Sequence, residues 1–79
     1  GEMTEISLWH AGDEKIRVLH TTEDVEIVSE RIRYAIKHDD MFYADYPTSH
    51  GKIFISSDLL KTCVVTVCEV SQISTAKVQ

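Results

Sequence analysis

One stretch of this chain, Thr21 to His38, repeats its apolar residues with the period of a helix, while the segments on either side alternate with the period of a strand. One long helix among short strands is the α+β class. Thr21 or Thr22 is placed to cap the helix. Glu23, Asp24 and Glu26 fall in its first turn and Arg31, Arg33 and Lys37 in its second half, so both ends match the helix dipole. Val25, Val28, Ile32, Ala35 and Ile36 form one apolar stripe. His38-Asp39-Asp40 closes the helix, because consecutive aspartates oppose the dipole at a C-terminus and suit a turn.

Before the helix, Glu5–Ala11 and Lys15–His20 read as a strand pair joined at Gly12-Asp13-Glu14. Setting Ile6 and Leu8 beside Ile16 and Val18 gathers all four on one face, and that is the expected register. After the helix come an aromatic strand, Met41–Tyr46, closed by Pro47; a loop at Thr48-Ser49-His50-Gly51; and a strand, Lys52–Ser56. A short turn carries Leu59-Leu60. Thr62–Val70, apolar on both faces, is expected at the centre of the sheet. The order is ββαβββ, a mostly antiparallel five-stranded sheet with one helix packed on one face. Residues 3–70 form a single domain, 71–79 a frayed tail or weak edge strand, and Gly1-Glu2 ahead of Met3 a cloning remnant.

With 79 residues, the chain is expected to bury only about 60% of the surface it exposes when unfolded, which leaves a thin margin of stability. A disulfide between Cys63 and Cys68 would widen it. On a strand, however, these residues point to opposite faces with α-carbons roughly 17 Å apart, so both are expected reduced, as small buried apolar residues. Reduced thiols favour a cytoplasmic setting. No apolar run approaches a membrane span, and no leader-like segment precedes Met3.

The residues of chemically reactive type do not assemble into a motif. His10, His20, His38 and His50 lie at two strand ends, a helix end and a loop, without the spacing of a metal site. Cys63 or Cys68 with His20 or His50 could be drawn as nucleophile and base, but any chain with two cysteines and four histidines permits that. His50-Gly51-Lys52 lacks the rest of a phosphate loop, and Asp39-Asp40 are adjacent loop acids of the solvated kind. No catalytic residue, cofactor, metal or small-molecule substrate is therefore expected, and the chain is read as a non-enzyme. Phe42, Tyr43 and Tyr46 could stack bases, yet 8 Lys and Arg against 13 Asp and Glu supply no cationic groove. A net charge of −5 is also modest for a nucleic-acid mimic.

One feature exceeds what a core needs. Opposite the apolar stripe lie Ile27 and Tyr34, seven residues apart, with Arg31 and His38 beside them. Isolated exposed apolar residues are common, but here they share a helix face with residue types favoured at interfaces. Ile27, Arg31, Tyr34 and His38 are thus the candidate interface. The function expected is a small cytosolic interaction module, regulatory, inhibitory or accessory, that meets a protein partner or its own copy as a homodimer. The alternative is a nucleic-acid-binding or nucleic-acid-mimicking protein.

Overall fold

The computed structural model describes residues 2–10, 14–48 and 50–71. Its elements are β1 (Glu2–His10), β2 (Glu14–Thr21), α1 (Val25–His38), β3 (Phe42–Asp45), β4 (Lys52–Ile55), α2 (Ser57–Thr62) and β5 (Cys63–Ser71). This is the expected α+β domain, with five strands and one long helix. In place of the one five-stranded sheet expected, the strands divide into a three-stranded sheet, β2-β1-β5, and a two-stranded sheet, β3-β4, with every pairing antiparallel. The expected turn at Leu59-Leu60 is a short helix, α2. The Ser56 side chain accepts the Leu59 N–H at 3.3 Å and starts it, and Leu60 is buried. This helix redirects the chain between β4 and β5, so β5 pairs with β1 instead of continuing the small sheet.

The central strand is β1, not β5. Apolar residues on both faces of β5 suggested a central place, yet Val64 and Cys68 on its outer face are exposed, while Cys63, Val65 and Val67 pack inward. Cys63 and Cys68 are both free, and Cys68 is not the buried residue expected. Glu2, which the sequence reading sets outside the domain, opens β1 and pairs with Ser71, the last residue of β5. The remainder of the tail, 72–79, lies outside the described residues, as do Gly1, residues 11–13, on which most of the expected turn falls, and Ser49 of the loop expected before β4.

The β1–β2 register is also displaced from expectation. Ile6 faces Leu19, Ser7 faces Val18 and Leu8 faces Arg17, with a bulge between Leu8 and Trp9. Ile16 and Val18 are therefore left exposed, and Leu19 packs against the core. The entry to the helix explains why. Thr4 and Thr21 pair across the strands and are both buried; the Thr4 hydroxyl donates to the Glu23 carbonyl at 2.5 Å, and the Thr21 hydroxyl accepts the Glu23 N–H at 3.2 Å. These two polar contacts tie the end of β2 to β1, and a one-residue slip would break them while burying Ile16 and Val18. With Thr21 so used, Asp24 caps α1 instead of Thr21 or Thr22, accepting the Glu26 N–H at 2.9 Å.

Helix α1 ends where expected. Asp39 adopts the left-handed conformation at φ 56°, and the Asp40 N–H returns to the Ala35 carbonyl at 2.9 Å. The Asp39 carboxylate accepts the Ser57 hydroxyl at 2.6 Å and the Lys61 ammonium at 3.0 Å, which hold its pKa below the usual carboxylate value and join α1 to α2. Ile6, Leu8, Val28, Ile32, Ala35, Phe42, Ala44, Ile53, Ile55 and Leu60 form the buried core. Ile36, expected in the stripe, is exposed.

At the far end of the large sheet, the hydrogen bond that protonated Glu69 donates to the Glu2 carboxylate, and then the Glu2 charge, raise the Glu69 pKa above its ordinary 4.5, with Asp24 adding to the same effect. A carboxyl raised in the folded state favours folding while it is protonated. That benefit is complete below the ordinary value and is lost as pH rises through the raised one. Thermal melts from acid to neutral pH should show Glu69→Gln gaining on the parent as the pH climbs through that window. Parallel curves for parent and variant would refute the carboxyl pair.

Candidate functional site

Arg31 organises the face that the helix presents away from the core. Its guanidinium pairs with Glu23 at 2.8 Å, donates to the Tyr43 carbonyl at 3.3 Å and lies over the Tyr43 ring, 5.0 Å from the centroid. The other Glu23 carboxylate oxygen accepts the Asp45 N–H at 2.9 Å. Glu23 and Arg31 thus lash the first half of α1 to β3, and the lash is made of side chains half withdrawn from solvent.

Tyr34, one turn beyond Arg31, is exposed, and its ring stacks on His38 with centroids 4.2 Å apart and planes tilted by 33°. Between Tyr34 and Tyr43 runs a shallow groove of about 520 Å³, floored by Phe42 and bordered by Met41, Glu30 and Asp40. Across the two-stranded sheet Tyr43 stands directly opposite Phe54, which is 66% exposed. Tyr34, Arg31, Met41, Tyr43 and Phe54 consequently make one aromatic surface that spans the helix and both short strands.

Of the four residues singled out from the sequence, Arg31 and Tyr34 line this groove and His38 joins through its stack on Tyr34. Ile27 is exposed one turn before Arg31, outside the groove lining. Sequence reasoning passed over Met41 and Phe54, and named Tyr43 for base stacking without joining it to the helix face. Their signal was present in the alternation of β3 and β4: with Phe42, Ala44, Ile53 and Ile55 buried, Tyr43 and Phe54 must face outward. What the alternation does not show is that Arg31 reaches β3 and joins two exposed faces into one.

Charges around the surface are largely paired. Arg33 pairs with Glu30, and Lys52 with Asp45 at 2.6 Å, which raises the Lys52 pKa. On the outer face of the larger sheet, Trp9 Nε1 donates to the Thr66 hydroxyl at 3.1 Å with Lys15 over the indole, and His20 Nε2 lies 3.2 Å from Glu5. Among the described residues no group of three or more His, Cys, Asp or Glu could hold a metal ion, and no helix is long and apolar enough to cross a membrane. The aromatic surface offers ring faces, a thioether and a guanidinium already held in place. That is the chemistry of contact with another surface. Comparison with family models, curated proteins and solved structures returns no match, so the reading of this face rests on its own geometry.

Proposed function

We propose that this protein is a small non-catalytic interaction module that docks on a protein through the Tyr34–Arg31–Tyr43–Phe54 surface, a second copy of the chain being the simplest occupant. The supporting observation is the continuity of that surface: residue types from which interfaces draw most energy sit side by side, and Arg31 is fixed by Glu23 and Tyr43 before any partner arrives. A two-fold contact would let the same patch meet itself. A cytosolic setting suits two free thiols, of which Cys68 is exposed. Pairing of Arg31, Arg33, Lys52 and Lys61 with carboxylates weighs against nucleic acid as the partner.

Sedimentation equilibrium over a wide concentration range tests the homodimer. The parent should associate, and Tyr34→Glu or Tyr43→Glu should weaken association by about 30-fold or more, the scale of an interface hot spot. A parent that stays monomeric throughout defeats the homodimer. Affinity capture then decides whether a foreign protein is held by the parent and released by both variants, and a partner retained by both variants would refute the surface itself.

A further inference from the structure

The open edge of β4 lies on another side of the molecule from the α1–β3 groove. Strand β4 pairs with β3 and with no other strand among the described residues. The bond from the Tyr46 N–H to the Gly51 carbonyl sets the phase of the β3–β4 ladder. Two and four residues further along, Ala44 with Ile53 and Phe42 with Ile55 are then the hydrogen-bonded pairs. Lys52 and Phe54, which alternate with them, turn their backbone N–H and C=O groups away from β3, toward the open edge.

That edge borders a groove of about 340 Å³ lined by all four residues of β4, as expected where a strand is seen edge-on. Leu8 and Leu19 of the large sheet lie on the opposite wall, with Leu59 of α2 and Tyr46 also lining the groove. Arg17 stands on the β2 side. Lys52 is neutralised by Asp45, whereas Arg17 meets no carboxylate among the described residues. Among the described residues, the groove therefore combines backbone donors and acceptors that β3 does not use, an apolar wall and a guanidinium that meets no carboxylate.

We infer that this groove takes an extended acidic peptide segment, which adds as a strand to the β4 edge, lays apolar side chains on Leu19 and Leu59, and places a carboxylate on Arg17. Backbone pairing supplies affinity in such strand addition, and alternate side chains supply specificity. The groove adjoins the aromatic surface at Phe54, but Arg17, Leu19 and Leu59 belong to the groove alone, so loss of the Tyr34 contact does not touch it.

A fluorescently labelled six-residue peptide of alternating valine and threonine bearing one glutamate is the probe, compared with the same peptide bearing lysine and with a backbone N-methylated version. The glutamate peptide should bind the parent saturably and shift the backbone amide resonances of Lys52 and Phe54. The lysine peptide should bind about tenfold more weakly, the N-methylated one should fail, and Arg17→Glu should invert the charge preference. Tyr34→Glu should leave this binding unchanged. Lys52→Pro, at the first residue of β4, removes an outward N–H that β3 does not use and should weaken the glutamate peptide. The inference is overturned by absence of saturable binding, by equal affinity of the two charged peptides for the parent, or by amide shifts confined to the α1–β3 face.

Discussion

Phe42→Ala is expected to cost about 3–5 kcal/mol, the range for emptying a buried aromatic site. Phe42 is 1% exposed and is the largest of the fully buried side chains. A domain of 79 residues has roughly 4–12 kcal/mol of stability in all, so this single change should bring the protein to the edge of unfolding. The effect has a structural reason beyond volume. The two-stranded sheet rests on the core through only Phe42, Ala44, Ile53 and Ile55, and Phe42 also floors the groove between Tyr34 and Tyr43. Tyr43→Ala, one residue along and 49% exposed, should cost little stability by comparison. Urea unfolding followed by circular dichroism separates the two, and similar losses from both would mean that the faces of β3 are assigned the wrong way round.

Periodicity made the element types legible because each period is a local property. The stripe on α1 and the alternation in β3 and β4 reflect which residues lie within a few positions of one another, and a helix or strand must obey them wherever it is placed. Register is not local in this sense. The choice between Ile16 with Val18 and Leu19 with Arg17 as the inward set was decided by Thr4 and Thr21, whose buried hydroxyls bond to Glu23 in the turn that enters the helix. Two threonines at the ends of strands carry no apolar signal, so the pattern alone favoured the more hydrophobic pair. The place of β5 was hidden for a related reason. A run of valines and cysteines states that the strand tolerates burial, and pairing with β1 left one of its faces in water.

The candidate surface was half legible. Helical spacing exposes Ile27 and Tyr34 from sequence alone, since a helix that packs by one face must show the other. Joining them to Tyr43 and Phe54 depends on the reach of the Arg31 side chain to a strand 12 residues away in sequence, and on Glu23 holding it there. Long-range side-chain contacts of this kind have no period, and several arrangements of the same elements would leave Arg31 in solvent.

The helix itself supplies the sharpest test of how the core is divided. Ile32 and Ile36 belong to the same stripe by spacing, yet Ile32 is 7% exposed and Ile36 is 38% exposed. Ile32→Ala should therefore cost about 2–5 kcal/mol, whereas Ile36→Ala, whose site is already open to water, should cost about 1 kcal/mol or less. The difference arises because Ile32 packs together with Val28 and Ala35 in the buried cluster, with Ile6, Leu8 and Leu60 among its members, while Ile36 stands outside that cluster. Loss of Ile32 also loosens the helix that carries Arg31 and Tyr34, so in this variant the aromatic surface and its association should fail together with folding. In Ile36→Ala, association should persist at the parental level. Chemical denaturation of both variants, with sedimentation of each at matched concentration, reads stability and association separately. Equal destabilisation by the two substitutions would place Ile36 inside the core and rotate the helix face from the position described for it.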